Sequence, residues 1–201
     1  MFRRPELNWG ILGTARIAEK AVVPALVSVK HTPVIAVASR DLTRAQEFAA
    51  LFEIPRAYGT YDELLADSNV QAVYIPLPNS EHAPWAIKAM QAGKHVLVEK
   101  PFALNSDDAH MMVSTALENN VVLMEGFMYR YSERFEKIYE IVRAGTIGKV
   151  RLVQSGFSFP LSNPDDIRLS SDLGGGALYD LGCYCINLQR QLAGREPASV
   201  Q

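Results

Sequence analysis

Two short segments, far apart in the chain, carry the residues best suited to acid and base chemistry. Lys100 ends an apolar run and is followed by Pro101, which fixes the backbone after it. Tyr184 follows the glycine run Gly174–Gly176, which lets the backbone approach another group closely. An ammonium beside a phenol favours the phenolate, so the pair could take a proton from an alcohol or return one to a carbonyl. These residue types predict proton transfer at a substrate oxygen.

Each of these residues also has an ordinary structural interpretation. A lysine at the end of a strand is commonly a surface residue, and Tyr184 could simply pack against Leu181 and Leu188. Asp180 precedes Tyr184 by four residues, so the two share one face of a predicted helix. The residues alone leave the catalytic and the structural interpretation open.

A turn near the N-terminus has the composition of a dinucleotide-binding loop. The segment 10–18 lies between a predicted strand and a predicted helix, where backbone N–H groups can hold a pyrophosphate. Ala15 and Ala18 stand where the G-x-G-x-x-G pattern has its second and third glycines. The pattern favours dinucleotide binding over a turn that serves only packing. The residues assigned to this contact are Gly10, Gly13, Thr14, Ala15, Arg16 and Ile17.

The end of the second predicted strand distinguishes the two nicotinamide cofactors. An acidic residue there binds the adenosine ribose of NAD, whereas a basic residue receives the 2′-phosphate of NADP. Here the strand ends in Ser39 and Arg40, and Arg44 adds a second cation one helical turn later. The sequence predicts NADP, with NAD as the alternative because the Asp41 carboxylate could reach the ribose. A solvated Arg40, with Asp41 only a helix cap, is the structural alternative.

Two further loops complete the predicted cofactor cleft. The segment 75–82 contains two prolines and follows an apolar strand at the carboxyl edge of the sheet, where ligands bind in such folds. His82 could equally begin a helix or pack. A second loop follows the strand that ends at Val98. The residues assigned from these loops are Pro76, Leu77, Asn79, His82, Glu99 and Lys100.

The elements that must position these residues alternate along the chain. Apolar strands, each followed by a helix, imply a parallel sheet that is covered on both faces. Residues 1–124 are therefore predicted to form an α/β domain, a Rossmann doubly wound parallel sheet. The strands are predicted at 9–13, 34–38, 72–75, 95–98 and 121–124, and the helices at 15–29, 42–51, 61–66, 82–92 and 106–119.

The pattern changes after the predicted Rossmann domain. Residues 125–201 contain helical periodicity at 133–143 and 176–192 and strand-like alternation at 149–159. One strand and two helices do not close a sheet of the usual several strands. We therefore expect a truncated α+β second domain.

Composition and charge argue against several other functions. A net charge of −2, from 20 basic and 22 acidic residues, gives no stripe for nucleic acid or an anionic membrane surface. No apolar run reaches the about 18 residues that a membrane helix needs. The four histidines lack metal-ligand spacing, so no metal is predicted. Cys183 and Cys185 would point to different faces of a helix, which fits reduced thiols and a cytoplasmic protein.

The order of these motifs resembles the glucose-fructose oxidoreductase family, also called Gfo/Idh/MocA. Two further segments, Trp9–Thr14 and Glu125–Arg130, are most similar to its branch of NADP-dependent dihydrodiol and D-xylose dehydrogenases. The motifs that carry the resemblance are the turn at Gly10, Ser39-Arg40, Glu99-Lys100-Pro101 and Gly174–Tyr184.

The resemblance implies an NADP-dependent oxidoreductase acting on the CH–OH group of a sugar or cyclic diol. Lys100 would hydrogen-bond the substrate oxygen, Tyr184 would act as acid or base, and Asp180 would orient the substrate or the tyrosine. Arg130 and His82 would line the nicotinamide. The peptide bond before Pro101 is expected to be cis.

Members of this family have further residues after the part that this chain resembles, and those residues complete a sheet that forms the pocket floor and the subunit interface. The resemblance therefore implies a homo-oligomer through the second domain when that domain is complete. For this chain we expect cofactor binding to survive better than turnover. A catalytically silent NADP-binding module or inactive fragment is the alternative.

Overall fold

The computed structural model describes residues 6–200, which form two compact units that meet in sequence between Glu125 and Gly126. In the first unit, strands and helices alternate throughout. Its elements are β1 (Trp9–Leu12), α1 (Val23–Ser28), β2 (Val34–Ala38), α2 (Leu42–Leu51), β3 (Arg56–Tyr58), α3 (Tyr61–Ala66), β4 (Ala72–Ile75), α4 (His82–Gln91), β5 (His95–Val98), α5 (Ser106–Glu118) and β6 (Leu123–Glu125).

The six strands form one sheet in the order β3-β2-β1-β4-β5-β6, and every neighbouring pair is parallel. The chain moves outward from β1 to β3, then returns to pair β4 on the other side of β1. At this reversal the loops after β1 and β4 leave in opposite directions and open a crevice at the carboxyl ends of the strands. The predicted Rossmann doubly wound sheet is confirmed.

The centre of the sheet is buried on both faces because the strands β2 and β4, which flank β1, are apolar at every position. Along β4, Val73 and Ile75 pack into one apolar cluster, whereas Tyr74 packs into another. Successive side chains of a strand point to opposite faces, so the two clusters cover the two faces of the sheet. In β1, Leu12 and Ile11 divide between the clusters in the same way.

Several helices begin at caps that the sequence makes visible. Asp41 accepts hydrogen bonds from the backbone N–H groups of Thr43 and Arg44 and so starts α2. Thr60 and Glu63 form a reciprocal capping box at the start of α3. Both caps lie just beyond a strand, so they fix where the chain turns away from the carboxyl edge of the sheet.

The first unit differs from the sequence prediction in two places. The first helix is not regular, because a π-helical turn, Ala18–Val22, precedes α1. The strand β3 was not predicted at all. It is a three-residue edge strand whose sequence, Arg56-Ala57-Tyr58, has neither an apolar run nor alternation that would indicate burial.

The second unit contains α6 (Glu133–Arg143) and α7 (Cys183–Ala193), the latter preceded by a π-helical turn, Leu178–Gly182. Both predicted helices are confirmed. The strand predicted at 149–159 is wrong, because that segment carries no strand pairing in the structure. A strand is held by hydrogen bonds to a neighbour, and residues 126–200 supply no other strand to pair with it.

Asp67, at the C-terminal end of α3, ties that helix to β3. Its carboxylate accepts hydrogen bonds from Arg56 Nη1 at 2.6 Å, the Tyr58 hydroxyl at 3.0 Å, and both the backbone N–H and Nδ2 of Asn69 at 2.9 Å. Burial raises the pKa of Asp67, but the hydrogen bonds from Asn69, Arg56 and Tyr58 outweigh it and hold the pKa well below its ordinary value.

The substitution Asp67→Asn should destabilise the first unit by about 1–3 kcal/mol at neutral pH, because the donors lose a charged acceptor. The native pKa of Asp67 lies below its ordinary value of 3.8, so its stabilisation is complete above that value and is lost as the pH falls below it. The free energy of unfolding should therefore fall less steeply on acidification in the variant. Urea unfolding at a series of pH values measures both effects.

Asp62→Asn is the matched control, since it makes the same change on the same helix. Asp62 pairs with Lys88 at 3.3 Å, but both side chains are more than half exposed, at 69% and 52%. Its loss should change stability by less than about 1 kcal/mol. Equal acid sensitivity in both variants and the parent protein would contradict the role given to Asp67.

Candidate functional site

The turn after β1 requires glycine at one position for two separate reasons. Gly13 has a φ of +103°, a backbone conformation that residues with a side chain rarely adopt. A Cβ built there would also lie 2.8 Å from Leu77 Cδ2. The Gly13 N–H donates to the carbonyl of Ala38 at 2.8 Å, which holds the turn against the end of β2. At Gly13 the backbone itself therefore borders the crevice, and the first helical turn begins shortly after it.

Gly10 has a packing role in the structure. It lies inside β1 and is buried, and a Cβ there would lie 2.7 Å from Leu64 Cδ2 and 3.0 Å from Val70 Cγ1. Its small size lets α3 and the following segment pack closely on the sheet. Its contact with a cofactor stays a prediction.

The end of β2 brings the predicted cations to the crevice. Ser39 is buried, and its hydroxyl accepts a hydrogen bond from the Asp41 N–H at 3.3 Å. Asp41 caps α2 through its carboxylate. The side chains of Arg40 and Arg44 are exposed and border the same groove. The local structure thus presents two guanidinium groups and a serine at one strand end.

These segments meet in one groove of about 270 Å³ at the carboxyl ends of β1, β2 and β4. Sequence reasoning did not assign Tyr61 or Pro78, although Pro78 lies in the loop predicted to border the cleft and Tyr61 begins a predicted helix. The predicted residues that line the groove are Gly13, Thr14, Ala15, Ser39, Arg40, Arg44, Pro76 and Leu77. Asp41 also borders it.

Lys100 stands in the loop after β5, beside an anchored carboxylate. Glu99 Oε1 accepts from the Tyr74 hydroxyl at 2.7 Å, and Glu99 Oε2 accepts from the Lys100 backbone N–H at 3.3 Å. Lys100 is half-buried, and the bond to Pro101 is cis, as the resemblance implied. The strand end that carries the lysine is therefore fixed by hydrogen bonds from a buried tyrosine.

His82, expected to line a nicotinamide, is completely buried. Its Nδ1 lies 2.7 Å from the carbonyl oxygen of Pro101, and its Nε2 lies 2.9 Å from that of Leu77. Burial lowers the pKa of His82, while the two carbonyls and the Glu99 carboxylate act against this. His82 therefore begins α4 and lies between the carbonyls of two loops, and its contact with a nicotinamide stays a prediction.

In the second unit, Tyr184 lies on α7 within an aromatic cluster. Its ring centroid is 5.3 Å from that of Phe127, 5.6 Å from that of Phe157 and 6.1 Å from that of Tyr129. Tyr184 also lines an apolar pocket of about 380 Å³, together with Leu188 and others. The ring is thus held by two edge-on contacts and one tilted aromatic contact.

The glycine run before Tyr184 lets its backbone lie close to another backbone segment, as the sequence indicated. A Cβ at Gly175 would lie 2.5 Å from the Arg168 carbonyl oxygen and 2.7 Å from that of Ser170. Asp180, in the π-helical turn, accepts a hydrogen bond from Arg168 Nε at 3.1 Å. The Asp180 carboxylate is therefore oriented by an arginine from the preceding loop.

The remaining predicted residues lie outside the groove. Arg16 and Ile17 are exposed at the start of the first helix, and Asn79 begins a short 3₁₀ turn in the loop after β4. Arg130 is exposed in a 3₁₀ turn of the second unit, Met128–Tyr131. Their cofactor contacts, like the pairing of Lys100 with Tyr184, stay predictions.

Three other features of residues 6–200 bear on possible chemistry. They contain no cluster of three or more histidine, cysteine, aspartate or glutamate side chains arranged to hold a metal. Neither Cys183 nor Cys185 forms a disulfide bond. Among these residues, no helix has both the length and the apolar character needed to cross a bilayer.

Sequence profiles of two families match the two units. Residues 7–127 match the profile described as "Oxidoreductase family, NAD-binding Rossmann fold", and residues 135–201 match the GFO/IDH/MocA C-terminal domain. Among curated proteins, the D-xylose 1-dehydrogenase (NADP(+)) 2 of Haloferax volcanii is 45% identical, over 94% of this chain and 58% of its own length. The trans-1,2-dihydrobenzene-1,2-diol dehydrogenase of Mus musculus is 40% identical, over 94% of this chain and 57% of its own length.

Solved structures show the same similarity. The 3-ketoreductase KijD10 from Actinomadura kijaniata, crystallised with NADP and TDP-benzene, superposes with a TM-score of 0.87 at 36% identity. The match covers 94% of this chain and 57% of that protein. This chain thus spans less than two thirds of the length of these relatives. Its sequence and fold place it in the GFO/IDH/MocA oxidoreductase family, whose N-terminal domain is an NAD-binding Rossmann fold.

Proposed function

We propose that this protein is an NADP-dependent oxidoreductase that moves a hydride between the cofactor and the hydroxyl or carbonyl carbon of a sugar or cyclic diol. The observation that carries the proposal is the groove where the turn at Gly13 lies beside Ser39, Arg40 and Arg44. The printed names of the xylose and diol dehydrogenases support the substrate class, and the KijD10 complex supports the cofactor. Nicotinamide supplies the hydride chemistry, and the protein positions the reacting groups.

The residues of the groove fit NADP. At Gly13 the turn reaches the groove without a side chain, just before the first helix, whose N-terminal backbone N–H groups could hold a pyrophosphate. Ser39 contributes a hydroxyl, and Arg40 and Arg44 contribute guanidinium groups whose planar donors match a phosphate monoester. The Asp41 carboxylate accepts hydrogen bonds from two N–H groups of α2, which favours its role as a cap over a ribose contact. This donor set favours NADP over NAD, the alternative cofactor.

At the substrate end, we propose that Lys100, Tyr184 and Asp180 handle the proton. Lys100 would hydrogen-bond the substrate oxygen, Tyr184 would remove or return its proton, and Asp180 would orient the tyrosine or the substrate. The anchored strand end at Lys100 and the aromatic packing of Tyr184 support this assignment, because a proton-transfer group must be held in place. The solved structures of KijD10 include variants of a lysine and a tyrosine, which supports testing these residue types.

Contacts outside the groove belong to the same proposal. Arg16, Ile17, Asn79 and Glu99 would complete the cofactor site, and Arg130 would line the nicotinamide. We further propose a homo-oligomer through the second domain when that domain is complete. Action in a reducing cytoplasm belongs to the same proposal, and the two cysteines, neither of which forms a disulfide, support it.

The proposed activity is tested by a plain NADP titration run beside an absorbance assay at the nicotinamide band. The panel of substrates contains pentoses, hexoses and trans-diols. NADP binding with reduction by at least one of these substrates supports the oxidoreductase. Binding with no reduction across the panel would favour a catalytically silent NADP-binding module.

Arg40→Ala should weaken NADP binding by about tenfold or more, because a charge-assisted hydrogen bond to a phosphate is lost. NAD has no 2′-phosphate, so its affinity should change little. Titrating the parent protein and the variant with each cofactor gives the ratio of NADP affinity to NAD affinity for both proteins. Raising the salt concentration should reduce the difference, since an exposed ion contact is screened.

Lys30→Ala is the control for Arg40→Ala. It removes the same charge from an exposed site just before β2, at the opposite edge of the sheet from the groove. Its ratio of NADP to NAD affinity should match that of the parent protein. An unchanged ratio in the Arg40 variant as well would remove Arg40 from the cofactor site.

Once a substrate is found, Tyr184→Phe and Lys100→Ala should each lower kcat by about 10²-fold or more, the range of a positioned acid or base. Tyr184→Phe keeps the aromatic packing, so its NADP affinity should be retained. Tyr131→Phe, which changes a largely exposed tyrosine of the same unit, is the control. Turnover near the parent rate in both variants contradicts the proposed roles.

A further inference from the structure

Tyr61 is held rigidly at the floor of the groove, although no sequence motif pointed to it. It is the first residue of α3, directly after the Thr60 cap, and it is 8% exposed. Its ring meets that of Trp85 edge to face, with centroids 4.8 Å apart and an angle of 83°. Trp85 in turn donates from Nε1 to Glu81 at 3.0 Å. Two helices therefore fix the direction of the tyrosine side chain.

The polar end of this tyrosine faces the groove. Its hydroxyl lies 3.8 Å from the position that a Cβ on Gly13 would occupy, and Tyr61 lines the groove together with Arg40 and Arg44. Burial raises the pKa of Tyr61, and Glu81 adds to this, whereas the nearby cations of Arg40 and Arg44 act in the opposite direction. The phenol is thus a neutral hydroxyl next to a guanidinium.

A neighbouring hydroxyl can lower the entropy cost that an exposed arginine side chain incurs when it binds a phosphate. The Arg40 side chain has about 2 kcal/mol of rotamer entropy, part of which is lost when its guanidinium is fixed on a phosphate. A hydroxyl oxygen that accepts from the guanidinium in advance reduces that loss on binding. The other N–H groups of the Arg40 guanidinium remain available to a ligand.

We propose that Tyr61 is a positioning residue for NADP, whose hydroxyl holds the Arg40 guanidinium at the rim of the groove so that it meets the adenosine 2′-phosphate. The inference rests on the proposed cofactor function and extends it to a residue outside the strand-end motif. Tyr61 therefore contributes to the preference for NADP over NAD without itself contacting the nicotinamide.

The test uses 2′,5′-ADP and 5′-ADP, which differ only in the 2′-phosphate, as probes for calorimetric titration. Tyr61→Phe keeps the ring and its contact with Trp85 but removes the hydroxyl. It should weaken 2′,5′-ADP binding by about fivefold, the loss of one ordinary hydrogen bond. Binding of 5′-ADP should be unchanged. Weakening of both probes by the same factor would mean that Tyr61 only shapes the groove, and would overturn the proposal.

A double variant tests whether Tyr61 acts through Arg40. In an Arg40→Ala background, Tyr61→Phe should cause no further loss of 2′,5′-ADP affinity, because the group that it positions is already gone. Additive losses would contradict positioning through Arg40. Tyr58→Phe is the matched control, since the Tyr58 hydroxyl donates to Asp67 and not into the groove. Its ratio of affinities for the two probes should equal that of the parent.

The same titrations separate this inference from the proposed function. If the parent protein binds neither probe, or binds both equally, the NADP assignment fails and the role of Tyr61 fails with it. If the parent prefers 2′,5′-ADP and Tyr61→Phe keeps that preference, the cofactor assignment stands and the inference alone is wrong.

Discussion

The parallel pairing of β1 with both β2 and β4 is the constraint on which the rest of the first unit depends. Parallel strands with their helices on the two faces must all release their following loops at one edge. The turn at Gly13, the Ser39–Arg44 segment and the Pro76–Pro78 loop therefore meet, although they are widely separated in sequence. The apolar side chains of β1 and β4 divide between two buried clusters, one on each face, so both faces of the sheet must stay covered by helices.

Packing and binding make different demands on the two glycines of the first turn. At Gly10 a side chain would clash with Leu64 of α3, which packs on β1. At Gly13 the positive φ and the neighbouring Leu77 both exclude a side chain. The first demand is set by the core and the second by the loop that borders the groove. A glycine-rich motif therefore combines a folding requirement with a ligand requirement, and only geometry separates the two.

Much of the first unit could be predicted because its signals are local. Apolar runs located the buried strands, and Asp41 was recognisable as the start of α2 from its position alone. The features that sequence reasoning missed depend on distant partners. Tyr61 lines the groove beside residues that follow β1, β2 and β4, and the two ring nitrogens of His82 lie beside the carbonyls of Leu77 and Pro101.

The alternation at 149–159 shows the limit of such reasoning in the second unit. The pattern resembles a strand, but a strand also needs a hydrogen-bonding partner, which the pattern cannot supply. Tyr184 presents the same difficulty in another form. Its packing against Phe127, Tyr129 and Phe157 joins segments whose closeness no spacing rule predicts.

The buried imidazole of His82 has a consequence for how this fold tolerates change. Its two ring nitrogens face in opposite directions and span the gap between the oxygens of Leu77 and Pro101. A neutral imidazole has one N–H, so it donates to only one of these two carbonyls at a time, and donating to both would require the imidazolium form. Burial disfavours that charged form. Each tautomer therefore ties only one of the two loops by a hydrogen bond, and a change in either loop would alter which tautomer the fold prefers.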